Sequence, residues 1–356
     1  MTDAGNFAYS LRDVMVVFAD GALARVAETI DTELTVSRIF LVSTPGRADV
    51  VAELRATMGD RVAGSFAGGR LHVPTTVVAD ALALVRASGA DCIMAIGGGS
   101  AIGLGKALVK ETGHPLVAVP STYSGSEMTD IWGVTDGTRK VTGRDPRVAP
   151  RLVVYDPALT HTMPASVTGP SGMNAIAHAV EALYSIAVSP VASLLAAEGM
   201  RRLATALPLL ADQPGDRGAR SEAMLGAHLC GRALDMTSMG LHHKLCHVLG
   251  GILGLPHALT HAVVLPYVTA YNAAAAPGAM ATIANVLGAS NAVRGLCELN
   301  RRLNITQTLT DLGMRPGDVD RVVEEAMKMS YPNPSPVTAD GVRSILGQAM
   351  RGDRPG

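Results

Sequence analysis

Residues 91–110 read D-C-I-M-A-I-G-G-G-S-A-I-G-L-G-K-A-L-V-K. The apolar run that ends at Ile96 has the length and composition of a buried strand, and the segment from Ala101 to Lys110 has helical spacing. Between them stand Gly97, Gly98, Gly99 and Ser100. A glycine triplet between a strand and a helix makes a phosphate site, because backbone N–H groups can approach the ligand and the helix N-terminus favours an anion. The spacing Gly97-x-Gly99-x-x-x-Gly103 is one residue longer than the usual dinucleotide fingerprint, so glycines serving only a tight turn are the competing reading. The strand-to-helix context favours the phosphate.

Around this unit, residues 14–19 and 39–43 read as strands, and residues 48–57 and 74–88 as helices. Downstream, residues 116–119 read as a strand that ends in P-S-T-Y-S-G-S-E, residues 120–127. The hydroxyls of Ser121, Thr122 and Ser126 gather where open α/β sheets bind ligands; a helix cap, Ser or Thr before Glu127, is the alternative. Alternating β and α elements predict a parallel sheet flanked by helices. From residue 159 the strand signals fade, and segments with helical spacing follow at 172–185, 191–211, 219–234, 259–275, 278–287, 293–303 and 319–329. The expectation is therefore an α/β N-terminal Rossmann-like domain over residues 1–158 and an all-helical C-terminal domain over residues 159–356. A linker punctuated by Pro150, Pro157 and Pro164 is expected near residues 149–162, and a disordered tail at residues 351–356.

The helical half carries a second decisive stretch, residues 240–257: G-L-H-H-K-L-C-H-V-L-G-G-I-L-G-L-P-H, with four of the ten histidines. Read as a helix, it puts His243 and His247 on one face with Cys246 nearby, and turns His242 about 100° away. Gly250-Gly251 and Pro256 end that helix, and a new one can begin at His257 with His261 one turn on. A single histidine on an apolar helix is more often a hydrogen-bonded core residue than a ligand. Four such residues amid Leu, Val and Gly are harder to explain as packing, and the histidines are expected around one cavity. A protease-type zinc helix is excluded, because Lys244 stands where H-E-x-x-H needs its glutamate. Upstream, Asn174 and His178 share one helical face. Lys140, Arg144 and Arg147 form a basic segment, for which solvated surface charge is the plain reading.

Composition bounds the rest. With 356 residues, 48% of them hydrophobic and 17% charged, the chain has ample apolar surface for two cores. A net charge of -1 without a basic run argues against nucleic acid. No apolar stretch reaches a membrane span, and residues 1–13 lack an export signal. Four scattered cysteines suit reduced thiols, and a cytoplasmic location is expected.

The motifs G-G-G-S, P-S-T-x-S-G-S-E, G-M-N-A-I-A-H-A-V-E-A-L and G-L-H-H-K-L-C-H-V-L-G-G-x-x-x-L-P-H together resemble the iron-containing alcohol dehydrogenase superfamily, with its dehydroquinate synthase-like fold, and within it the maleylacetate reductase branch. The resemblance spans residues 7–336. It implies NADH or NADPH as cofactor, a small-molecule dicarboxylate substrate and a homodimer. The activity it implies is NAD(P)H-dependent reduction of maleylacetate to 3-oxoadipate in aromatic-compound degradation. A metal-dependent alcohol or polyol dehydrogenase is the alternative, ahead of a dehydroquinate synthase-type lyase and a nucleotide-binding regulator.

The superfamily's metal ligands, an Asp and three His, fall on Asn174, His178, His243 and His257. The amide at Asn174 supplies no negative charge, so a vestigial site and catalysis without a metal are expected. His243, His178, His257, His247 and Lys140 are the expected catalytic groups, with His243 donating a hydrogen bond or proton to an enolate. Arg144, Lys244, His242 and Asn174 are expected at the substrate. Gly97, Gly98, Gly99, Ser100, Ser121, Thr122 and Ser126 are expected at the cofactor, with Ser43 and Thr44 at its adenine ribose. No carboxylate stands at Thr44, so NADPH is expected to be tolerated beside NADH.

Overall fold

The computed structural model describes residues 7–137, 139–328 and 330–355. The end of the expected helix at Met329, the tail residue Gly356, and residues 1–6 of the stretch read for an export signal lie outside these. The chain divides into two compact units, one of Arg12–Met163 and the other of Pro164–Gly356 with the described residues before Arg12.

In the first unit, β1 (Met15–Phe18), β2 (Ile39–Ser43), β3 (Val62–Phe66), β4 (Cys92–Gly97) and β5 (Leu116–Pro120) alternate with α1 (Val26–Glu33), α2 (Ala48–Met58), α3 (Thr75–Ser88) and α4 (Gly99–Thr112). A hairpin of β6 (Ile131–Asp136) and β7 (Arg139–Arg144) precedes β8 (Leu152–Tyr155). The sheet order is β1-β8-β5-β4-β2-β3, and every neighbouring pair is parallel. Strands β2, β4, β5 and β8 are buried along their whole length. Their unbroken apolar runs are what a sheet covered on both faces requires, and each fully buried Val, Ile or Leu there contributes about 1.5–3 kcal/mol.

Register sets the position of the loops. Ser43 on β2 lies beside Ile96 on β4, and Gly97 beside Pro120 on β5. The segments that follow, at Thr44, Gly98 and Ser121, therefore leave one edge of the sheet from three adjacent strands.

The second unit is helical: α5 (Ala165–Tyr184), α6 (Pro190–Asp212), α7 (Arg217–Asp235), α8 (Leu241–Leu253), α9 (His257–Asn272), α10 (Pro277–Val286), α11 (Ala292–Arg302), α12 (Val319–Met327) and α13 (Ala339–Arg351). Its central element is α5, in which every residue from Thr168 to Tyr184 is buried. A helix that is apolar all round belongs in the interior. It begins seven residues before the expected Gly172 and runs through Pro170, which forgoes only one backbone bond near the helix start.

Other differences from expectation have local causes. The stretch expected as a linker holds β8, whose four residues are bracketed by the prolines that suggested a connection. Of the basic segment, Lys140 and Arg144 lie on the strand β7, and Arg147 lies in the short turn that follows it. The tail is not loose at Asp353, whose carbonyl accepts a hydrogen bond from the Tyr267 hydroxyl at 3.0 Å. No helix among the described residues is long and apolar enough to cross a membrane.

Candidate active site

At the sheet edge, Gly97 has φ 142°, a region that residues with a Cβ avoid, and its carbonyl accepts the Ser121 N–H at 3.0 Å. A Cβ on Gly98 would stand 2.9 Å from the Thr122 side chain. The glycines thus let the turn before α4 lie against the loop that follows β5. The first turn of α4 presents backbone N–H groups and the positive end of the helix dipole, as an anion site needs. Ser43 Oγ is buried and has no hydrogen-bond partner among the described residues.

Lys106, which the sequence reading passed over, and Glu127, which it read only as part of a helix cap, organise this loop. Lys106 on α4 is buried, and its Nζ donates to the carbonyls of Ser126 (2.6 Å), Thr129 (2.8 Å) and Ile131 (2.9 Å). Glu127 is buried beneath the loop and accepts from the Tyr155 hydroxyl at 2.8 Å and from Ser124 Oγ at 3.2 Å. Burial pushes its carboxyl above the usual range against the pull of those bonds. Glu127 is an anchor of the loop.

Of the basic residues, Arg144 pairs with Asp130 at 2.9 Å, a carboxylate that also binds Arg12 at 2.7 Å. Lys140 is half-buried on β7 opposite Thr135. Both belong to the α/β unit, whereas Lys244 and the histidines belong to the helical one.

In the helical unit, α5 presents Asn174, His178 and Glu181 on one face at spacings of four and three. Glu181 is the one charged residue of that helix. Its carboxylate meets the N-terminus of α8, where it accepts the N–H of Gly240 at 2.9 Å, of His242 at 2.8 Å and of His243 at 3.4 Å. Gly240 permits this approach, since a Cβ there would lie 3.2 Å from Glu181 Oε1 and 3.1 Å from the Pro332 carbonyl. Glu181 Oε2 also lies 2.6 Å from His243 Nδ1. Burial alone would raise the Glu181 carboxyl, but His243, His242 and the Gly240 N–H outweigh it and hold the group below its ordinary range. Glu181 Oε2 accepts the His243 Nδ1–H, which fixes the orientation of that ring.

Other histidine rings pack against His243 and against one another. His178 stacks on His243 with centroids 4.9 Å apart. His257, the first residue of α9, is 4.5 Å from His261 and 6.1 Å from His247. His247 stands 6.2 Å from His243 and is half-buried. His242 is drawn in rather than turned away, with its Nε2 2.9 Å from His261 Nδ1, and Cys246 Sγ lies 3.8 Å from the same His242 nitrogen. Burial first, and neighbouring imidazoles second, keep His178 and His261 neutral well below the usual range and push His242 down to about 3. His178 Nδ1 and His243 Nε2 are buried with no hydrogen-bond partner among the described residues. Such neutral nitrogen donors fit a borderline divalent ion of the first transition row.

The chain matches the model of the iron-containing alcohol dehydrogenases over residues 14–157, and that of the C-terminal part of the Fe-containing alcohol dehydrogenase family over residues 168–350. It is 46% identical to a maleylacetate reductase of Burkholderia cepacia over 98% of this chain and 99% of that one. It is 44% identical to maleylacetate reductase 1 of Cupriavidus pinatubonensis, over 96% of each. The crystal structure of a maleylacetate reductase from Agrobacterium tumefaciens superposes with a TM-score of 0.92 at 42% identity, covering 98% of this chain and 99% of that one. The chain belongs to the iron-containing alcohol dehydrogenase family.

Proposed function

We propose that the protein catalyses the NAD(P)H-dependent reduction of maleylacetate to 3-oxoadipate. The observation that carries this reading is identity above 40%, over almost the full length, to enzymes that bear that activity in their names. The buried imidazole cluster supports it, since the reaction places negative charge on a ketone oxygen.

The nicotinamide, when bound, supplies the hydride; the turn at Gly97 to Ser100, with Ser121, Thr122 and Ser126, is proposed to hold the cofactor's phosphates, and Ser43 and Thr44 its ribose. The alkene carbon β to the ketone accepts that hydride, the electron pair moves onto the ketone oxygen as an enolate, and the carbon next to the ketone then takes a proton. One NAD(P)H and one proton are consumed for each 3-oxoadipate formed. His247 is proposed to carry the proton, because its half-buried ring can exchange with solvent beside His243 and His257. Lys244, which follows His243 on α8, and Lys140 are proposed for the carboxylates. Arg144 is the weaker candidate, being engaged with Asp130.

Membership in an iron-containing family gives no support to the expectation of catalysis without a metal. His178, His243 and His257, with Asn174 beside them, would hold a divalent ion, and such an ion supplies Lewis acidity to a ketone oxygen. We further propose a cytoplasmic homodimer; the exposed apolar side chains Phe7, Tyr9 and Leu11 offer a surface for the second copy.

The test is disappearance of NADH with maleylacetate, with 3-oxoadipate identified by mass spectrometry. NAD⁺ reduction by simple alcohols or polyols, with maleylacetate inert, would favour the alcohol dehydrogenase reading that the family name also allows.

A further inference from the structure

His261 had no role in the sequence reading beyond following His257 by one turn. It is fully buried, and its ring packs 4.5 Å from His257, 4.8 Å from His242 and 4.9 Å from His243. Its Nδ1 lies 2.9 Å from His242 Nε2, so one proton sits between two neutral rings and their tautomers are tied together.

Two arrangements satisfy that contact. In the first, His242 donates through Nε2, its Nδ1 is a bare lone pair, and His261 carries its proton on Nε2. In the second, His261 donates through Nδ1, and His242 carries an N–H at Nδ1. Neither His242 Nδ1 nor His261 Nε2 has a hydrogen-bond partner among the described residues. A buried N–H with no acceptor costs about 1–3 kcal/mol, so the choice turns on where the orphan donor is placed. Both nitrogens are buried, and on His242 the donor points away from His261. On His261 it belongs to the nitrogen turned away from His242, on a ring packed against both His243 and His257, and a substrate oxygen bound beside those rings would satisfy it. With a substrate oxygen so placed, the first arrangement is the less costly one.

We propose that His261 is a catalytic residue, a neutral hydrogen-bond donor through Nε2–H to the substrate's ketone oxygen as it becomes an enolate, with His242 the positioning residue that fixes its tautomer. This deepens the maleylacetate reading and rests on it. It also divides the labour within the cluster. His243 donates its Nδ1–H to Glu181, while His261 takes its orientation from His242 and presents an N–H. A donor held in place before the charge develops stabilises the enolate without reorganisation. No proton leaves His261 during the step, so the balance of the reaction is unchanged.

His261→Phe should lower kcat by about 10²- to 10³-fold, with the KM for NADH and the bound iron of the iron-loaded enzyme unchanged. His261→Gln, which restores an N–H near the lost one, should recover at least about tenfold of that. A kcat for His261→Phe within about threefold of wild type would overturn the proposal, and so would loss of iron, which would make His261 a ligand. Nitrogen-15 spectra of histidine-labelled wild-type enzyme saturated with 3-oxoadipate read the tautomer without relying on a variant's folding: Nε2–H on His261 supports the assignment, and Nδ1–H overturns it. Wild-type turnover of maleylacetate in the same assay separates the two readings; without it the functional reading fails and this inference falls with it.

Discussion

Glu181 and His243 are joined twice: Oε2 of Glu181 lies 2.6 Å from His243 Nδ1, and its Oε1 accepts the His243 backbone N–H at 3.4 Å. One carboxylate on α5 thus fixes both the start of α8 and the orientation of its histidine. Glu181→Gln keeps the size but not the charge, and should lower kcat and metal affinity by about 10- to 100-fold. Thermal unfolding should report a loss of about 1–3 kcal/mol, from N–H groups at the α8 start that lose their acceptor. A variant with wild-type kcat would show that His243 needs no partner.

The missing anionic ligand makes Asn174 the place to alter metal affinity. Asn174→Asp adds one negative charge on the face that carries His178, and dialysis against a chelator should then strip iron markedly more slowly than from wild type. Equal retention would place the ion, if bound, away from Asn174.

At the sheet edge, Gly98→Val brings in a Cβ that would stand 2.9 Å from the Thr122 side chain, with two methyl groups beyond it. The KM for NADH should rise far more than that for maleylacetate. Equal effects on both would count against a phosphate site at this turn.

Cofactor choice is proposed to rest on Thr44, which lacks a carboxylate to repel a 2′-phosphate, and on Arg47 three residues on. NADH and NADPH should be used within about tenfold of each other. Thr44→Asp should select NADH; a variant that kept its NADPH activity would remove Thr44 from the ribose.

Acid should destabilise the metal-free protein earlier than carboxylate titration alone would. Burial holds His228 at about 4 and His242 at about 3, and His178 and His261 lie well below the ordinary 6.5. Below 6.5 the unfolded chain binds protons that these folded sites refuse. Stability is therefore complete above that value and is lost as pH falls towards the folded values, at about 1.4 kcal/mol per pH unit for each histidine. Glu181, held below its ordinary 4.5, stays ionised through this window and adds no slope there. The Tm should drop steeply between about pH 7 and pH 5.5; a flat profile would mean that these rings take up protons in the folded state.

Much of this architecture is legible in the chain. Ile39–Ser43 is a strand at the expected bounds, because five consecutive apolar or small residues end at a turn-forming Thr-Pro-Gly. Pro256 marks the break before α9 as expected, but α8 runs on through Gly250-Gly251 and ends at Gly254, whose left-handed backbone caps it. Strand β8 was hidden because four residues between prolines carry no periodicity, and the β6–β7 hairpin because its charges read as solvated surface. Glu181 and His261 show why the site was only partly visible. A lone glutamate on a helix is ordinary, and its significance lies in the start of α8, sixty residues away. The available signal was that it is the only charge on α5, three residues after His178. The role of His261 depends on a ring–ring contact with His242 that no spacing rule predicts.

The fate of the hydride separates reduction of the alkene from reduction of the ketone. With NADH deuterated at the transferred position and maleylacetate as substrate, one deuterium is expected in 3-oxoadipate, on the carbon β to the ketone. Deuterium on a newly formed carbinol carbon would show that the ketone itself is reduced, as in an alcohol dehydrogenase, and would contradict the proposed reaction.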